Sequence, residues 1–340
     1  MVLNRIISRS HLFIITASVL IVLFLLNIFL GAVDIPFTQV IAVLTGDSSN
    51  ATCSYIILNS RLPQALTALF CGSALATAGL LLQTVFKNPL AGPDILGVNS
   101  GASLGVAVVM LFFSGTVSAG TIVLSGFIAV LIAAFIGAVL VMALILLFSR
   151  FVKSNVMLLI IGIMVGYLAS SAISLLNYFS TDEGVQSYIV WGMGNFSGVS
   201  IGQMPVFASL ILIGIICAIL LIKPLNLLLL GESYAENLGV RILRTRNLLL
   251  VVTGLLSAVT TAFCGPIAFI GLAVPHIARL LLRSDNHRTL LPMTILCGGG
   301  VALVCNLICS LPGEYGLIPL SAVTPFIGAP IIIYIILKSR

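Results

Sequence analysis

The chain has 340 residues, 60% of them hydrophobic and only 7% charged, and its mean hydropathy is +1.27. A soluble domain carries roughly 25% charged residues, so a water-soluble enzyme or binding module is excluded. The net charge of +6 does not point to nucleic acid here, because the basic residues sit in short clusters between apolar runs, as membrane topology requires.

Those runs are about 20 residues long, the length a helix needs to cross a hydrocarbon core of roughly 30 Å. They are continuous rather than alternating, which rules out a membrane β-barrel. The sequence therefore predicts an all-α polytopic membrane protein, a single transmembrane domain over 1–340. Ten spans are expected, near 12–32, 63–84, 95–113, 119–148, 156–178, 202–222, 247–264, 267–282, 290–309 and 317–337. The first follows Arg5 and Arg9 and is longer than the apolar part of a cleaved signal peptide, so it reads as a retained span. The fourth is too long for a straight crossing and is expected to tilt or to extend beyond the bilayer.

With the N-terminus in the cytoplasm, 14 of the 15 Lys and Arg residues fall inside, and only Arg61 falls outside. This asymmetry supports an even number of spans with both termini cytoplasmic. The acids lean the other way, with Asp34, Asp47, Asp182, Glu183 and Glu314 outside and none in a span interior. Two outer segments depart from simple hairpins: the polar stretch Asp34–Arg61, and the Gly-rich stretch Ser180–Ser200 with the single tryptophan, Trp191.

A faint echo links Gly92-Pro93-Asp94-Ile95-Leu96-Gly97, which opens the third span, to Gly265-Pro266-Ile267-Ala268-Phe269-Ile270-Gly271, which opens the eighth. The first starts inside and the second outside. Spans 2–5 and 7–10 are thus either an inverted repeat about span 6 or two unrelated Gly-Pro helix starts. Small residues recur at four-residue spacing in Gly97, Gly101 and Gly105, in Ala133 and Gly137, and in Gly162 and Gly166, as close helix packing demands. The fifth span adds Ser170, Ser171 and Ser174. A helix this small and mildly polar either packs or lines a pathway, and Gly162, Gly166, Ser170 and Ser174 are its lining candidates.

Several chemistries are missing. The spans hold no acid or base chain of the kind ion-coupled carriers use, and the one histidine inside a span, His276 after Pro275, reads as a packing or hydrogen-bonding residue before it reads as a ligand. The seven cysteines lie mostly in apolar runs and show no zinc spacing; Cys305 and Cys309 are i,i+4 without a third ligand. No metal and no bound cofactor are expected. None of the four lysines follows a glycine, so the chain has no Walker A loop. A pump built on it must take energy from a partner at the cytoplasmic face.

The best handle for such a partner is a polar island in cytoplasmic segment 226–244, Gly231-Glu232-Ser233-Tyr234-Ala235-Glu236-Asn237-Leu238-Gly239. Glu232 and Glu236 are i,i+4 and share one face of a short helix, while Ala235, Leu238 and Gly239 offer a smooth surface. A solvated interfacial helix is the other reading.

The chain resembles the permease subunit of the ABC importers that take up iron–siderophore complexes, haem and cobalamin. The resemblance covers nearly the whole chain. It rests on Arg61-Leu62-Pro63, Gly79 to Gln83, Asn88-Pro89-Leu90-Ala91, Asp94 to Val98, Leu230-Gly231-Glu232 with Leu238-Gly239-Val240, Gly265 to Leu272, Val274 to Arg279, and Ile327-Gly328-Ala329-Pro330. It implies a type II ABC importer permease fold in the inner membrane, a homo- or heterodimer, two ATPase subunits that consume the ATP, and a periplasmic or lipid-anchored substrate-binding protein. It makes Gly231, Glu232, Ala235, Glu236, Leu238 and Gly239 the ATPase-coupling helix, and Arg61, with Glu314, the binding-protein contact. Where many relatives carry a second arginine, this chain has Gln64, so that contact is expected to be weaker or differently arranged. An ion-coupled secondary transporter or channel is the alternative, and an enzyme built on His276 a more distant one.

Overall fold

The computed structural model describes residues 2–46, 50–113, 116–119, 122–152, 154–310 and 318–338. Helix α1 (Val2–Phe29) is followed by α2 (Phe37–Leu44) and α3 (Ala51–Ile56), which turn the expected outer loop into a small folded cap. Ile28, Ile35, Val40, Val43 and Ile57 form its own apolar core, and Phe29 stacks on Phe37 at 5.3 Å. A π turn, Ile57–Arg61, leads into α4 (Leu62–Phe86). A 3-10 turn at Pro93–Leu96 precedes α5 (Val98–Ala107).

Next comes an antiparallel hairpin, Thr116–Ala119 with Ile122–Ser125, before α6 (Phe127–Phe151). The overlong fourth run is resolved in this way: its first residues pair as strands, and the helix begins only after Gly126. Then follow α7 (Asn155–Phe179), α8 (Asp182–Gly192), α9 (Met204–Leu220), α10 (Ile222–Leu229) and α11 (Glu232–Asn237). The chain closes with α12 (Ile242–Cys264), α13 (Ile270–Leu282), α14 (His287–Cys309) and α15 (Leu320–Lys338).

Six of these helical stretches are long and apolar enough to cross a membrane; α9 and α10 together make a seventh, bent by 50°. Three shorter apolar helices, Val98–Phe112, Ile270–Leu282 and Leu320–Tyr334, stand where the third, eighth and tenth spans are expected. Each predicted span therefore has its helix. The chain before each short helix is not α-helical: a 3-10 turn at Pro93–Leu96, and irregular backbone at 265–269 and 318–319.

The stretch Ala51–Phe86, mostly α4, and α12 are 83% and 78% buried over their apolar windows, against 11% for α1 and 17% for α7. The two buried helices, α4 and α12, pack on each other at the centre. Around them the packing repeats: α4 on α14 matches α12 on α6, α4 on α13 matches α12 on α5, and α5 on α6 matches α13 on α14. In the same way α5 on α7 matches α13 on α15, and α9 touches both α4 and α12. Because α4 ends at Lys87 while α12 begins just after Arg241, the halves run in opposite directions. The echo in sequence is thus an inverted repeat in space.

The two echoing segments also meet. The carboxylate of Asp94 accepts a hydrogen bond from the side-chain amide of Asn99 and one from the backbone N–H of Phe269. Thr261 Oγ1 donates to Asn99 Oδ1 at 2.8 Å. A Cβ at Gly271 would lie 2.8 Å from Pro93. The acid that the span boundaries left at a margin is therefore the polar centre of the contact between the halves.

Candidate functional site

Lys87, Arg150, Arg241, Arg244, Arg246, Arg279, Arg283 and Arg288 lie where α4, α6 and α13 end and α12 and α14 begin. Segment 226–244 lies there. Its helix α11 is a short turn of six residues, packed on α10 and on the start of α12. Ala235 is its anchor, fully buried, and its carbonyl accepts from Val240 N at 3.0 Å. Leu230, Tyr234 and Leu238 are more than half exposed. Glu236 is exposed and Glu232 half-buried, so the two acids that share a helical face do not share an environment.

Glycines close α11 on both sides. Gly231 has φ of 112° and Gly239 has φ of 87°, and neither has a neighbour within reach of an added Cβ. The positive φ, not the space, is what demands glycine at these positions. The result is a rigid knob of two polar turns with three apolar side chains facing outward, set between two sharp corners.

The segment is bolted to the bundle at both ends. At its start, Asn226 Oδ1 accepts from His287 N at 2.8 Å and from His287 Nδ1 at 3.0 Å. His287 Nε2 faces Thr84 Oγ1 of α4 at 2.9 Å, and Asn226 Nδ2 donates to Asn286 Oδ1 at 3.1 Å. Beyond its end, Arg246 donates to the carbonyls of Ser149 and Val152 where α6 stops. Nearby, Arg279 donates to Gln83 Oε1 at 2.6 Å and pairs with Asp285 at 3.3 Å. His276 Nε2 donates to Pro89 O at 2.7 Å. That histidine ties α13 to the turn after α4, and its protein partner is a backbone carbonyl. Neither bolt was visible in the sequence, because their partners lie 61 and 97 positions away.

The other expected site residues are scattered. Arg61 is 5% exposed, and its guanidinium donates to the carbonyls of Ile28 and Phe29, at 2.9 and 2.8 Å, and to that of Val33. It caps the C-terminal end of α1, where carbonyls have no intrahelical partner. Gln64 donates to Asn306 Oδ1 at 3.0 Å, and Asn306 donates to Asn27 Oδ1 at 2.7 Å, so this corner is a closed polar network. Glu314 lies outside the described residues, as does Asp47.

On α7, Gly162 is buried against the backbone of Ile95 and Leu96, at 3.0 Å from an added Cβ. Gly166 is half-buried beside Ser100. Ser170 and Ser174 are exposed, and Ser174 Oγ bonds Ser170 O at 3.0 Å. Four-residue steps on a helix of 3.6 residues per turn drift by about 40° each, so these positions spiral from a packed face to an open one.

A bundle of membrane-crossing helices in two inverted halves, with a folded knob at one end and no nucleotide loop in the sequence, is the architecture of a transporter's membrane subunit. Residues 19–338 match the FecCD transport family, and the chain belongs to it. It is a permease of the ABC importer class and a multi-pass membrane protein. It is 36% identical over 334 residues to the vitamin B12 import system permease protein BtuC of Klebsiella pneumoniae, covering 98% of this chain and 95% of that one. The BtuC of Salmonella typhimurium is 36% identical over 299 residues, 87% of this chain and 88% of that one. A metal-chelate type ABC transporter, solved in an inward-facing conformation, superposes with a TM-score of 0.84 at 31% identity, covering 97% of this chain and 99% of that one. PsaBC from Streptococcus pneumoniae, at 16% identity and a TM-score of 0.52, shares the fold.

Proposed function

We propose that the chain is the membrane-spanning subunit of a binding-protein-dependent importer, and that α11 is the part on which an ATPase subunit pushes. The observation that carries this is the knob itself. A short helix fixed by two positive-φ glycines presents Leu230, Tyr234 and Leu238 to the outside at the basic end. Exposed apolar side chains on a rigid support are what a partner's groove needs. The basic end is cytoplasmic in this reading, with both termini there, and the membrane is the inner, cytoplasmic one. ATP is bound and hydrolysed by the partner, and this chain binds no cofactor.

The translocation path runs between two permease copies along the open face of α7, with Ser170 and Ser174 on it and Gly166 at its edge. Gly162 serves packing instead. The cargo is cobalamin, haem or an iron–siderophore complex; the B12 permeases among its relatives support the first and the metal-chelate transporter the last. A soluble or lipid-anchored binding protein delivers it at the opposite end.

The experiment is reconstitution with the ATPase and binding protein, using cobalamin, ferric siderophore and haem in parallel. Gly239→Val bends the knob at a backbone angle that valine resists, and it is expected to leave hydrolysis without uptake. Normal uptake per ATP in that variant would remove α11 from the coupling role.

A further inference from the structure

Helix α11 is set off from α10 and α12 by two glycine corners, so a push on it reaches the rest of the bundle through side-chain contacts as well as along the chain. One side chain stands in the right place. Arg246, in the second turn of α12, donates through Nη2 to Ser149 O and, at 3.3 Å, to Val152 O. These are the last carbonyls of α6, which lack intrahelical partners and lie at the negative pole of its dipole. Ser149 Oγ bonds Asn247 Oδ1 at 2.9 Å, which doubles the seam between α6 and α12. Two residues past Val152, Ser154 caps the start of α7 by accepting from Met157 N. On its other side Arg246 feels the carboxylate of Glu232, the first residue of α11.

One guanidinium thus connects the first residue of the knob, the end of α6 and the junction into α7. We propose that Arg246 is the positioning residue that carries movement of α11 to the α6–α7 junction, and so to the helix lining the path. The inference rests on the coupling role given to α11 above. A planar, always-charged fork suits the task, because it holds backbone carbonyls in fixed geometry while its charge acts on the nearby carboxylate. Lysine would keep the charge toward Glu232 but not the fork.

A purely structural arginine would behave differently. Its loss would lower stability and depress every activity in proportion. A relay, when lost, changes the ratio of cargo moved to ATP hydrolysed. The test measures that ratio in proteoliposomes holding permease, ATPase and binding protein, with cobalamin, ferric siderophore and haem as cargo. Arg246→Met is expected to lower it about tenfold, the scale of a lost charge-assisted hydrogen bond, and Arg246→Lys to lower it less. Adding Glu232→Gln to Arg246→Met is expected to change nothing further, because both act through one link. A ratio in Arg246→Met within about twofold of the unmodified protein overturns the relay, as does full additivity of the two changes.

If Arg246→Met does not fold, nitroxide labels at Val156 and Arg241 read the same link in the Arg246→Lys protein. The distance between them is expected to shift on ATP binding in the unmodified complex and to shift less in Arg246→Lys; equal shifts overturn the proposal. Gly239→Val, measured alongside, separates the two ideas. If it uncouples and Arg246→Met does not, only the relay falls. If neither uncouples, the role of α11 falls and takes the relay with it.

Discussion

Gly79 of α4 and Gly271 of α13 meet backbone to backbone: a Cβ at Gly79 would stand 1.7 Å from the carbonyl oxygen of Gly271. This contact sets how closely the central helix of one half approaches the short helix of the other. Neighbouring small pairs do the same work, with a Cβ at Gly72 falling 2.2 Å from Gly298 O and one at Gly137 falling 2.1 Å from Gly101 O. In a membrane no hydrophobic force draws helices together, so close packing must supply the attraction. Gly79→Val is expected to destabilise the purified permease by at least the 1–3 kcal/mol, approximately, of ordinary overpacking, because backbone rather than a flexible side chain has to move. Gly192→Ala, at a site with no atom within reach, is the control. Thermal unfolding in detergent measures both, and equal melting temperatures would show that α4 and α13 do not depend on this approach.

Asp94 makes a second testable seam. Its carboxylate collects the Asn99 amide and the Phe269 N–H, and Phe269 itself sits at a φ of 68°, unusual for a bulky residue. Asp94→Ala leaves both donors without their acceptor, at a cost of about 1–3 kcal/mol. Asp94→Asn keeps one acceptor oxygen and is expected to fall between the two. Thermal unfolding orders the three proteins, and a fully stable alanine variant would mean that the halves are held together elsewhere.

The comparison of these seams with α11 shows what one sequence can and cannot disclose. Spans were legible because hydropathy is local, and each predicted span has its helix. The polar segment 226–244 was legible because its charge and glycines stand out against an apolar chain. The Asp94–Phe269 bond was not, since it joins segments about half the chain apart; only the Gly-Pro echo hinted that the two belonged together. Arg61 was expected at a docking surface, and charge counting has no means of seeing that α1 ends beside it. The pathway candidates of α7 do not share one face, for a geometric reason: residues at four-residue steps drift around the helix.

Arg61 therefore has two readings that one pair of variants separates. As a cap on α1 it needs the planar fork that reaches three carbonyls, and as a docking charge it needs only to be positive. Arg61→Lys is expected to lower the melting temperature and to make α1 more sensitive to protease, while leaving binding-protein affinity near that of the unmodified protein. Titration of the detergent-solubilised complex with its binding protein measures the affinity. An unchanged melting temperature with binding intact would return Arg61 to the docking surface.

The open face of α7 offers the last test, because it makes two residues four positions apart from their neighbours behave unlike them. Ser170 and Ser174 are exposed in the single chain, whereas Gly162 packs on Ile95 and Leu96. If the face lines a path between two permease copies, cysteines at 170 and 174 should react with a water-soluble maleimide, and more slowly once cargo is bound. Labelling there should block uptake. A face turned to lipid would be shielded from such a reagent at both positions, with or without cargo. The native cysteines complicate little, since Cys71, Cys264, Cys297, Cys305 and Cys309 are buried and only Cys53 and Cys217 are half-buried. Replacing those two with serine gives the background in which both sites are read. Protection of both cysteines from the reagent in the working complex would assign this face to the bilayer and move the path to another helix.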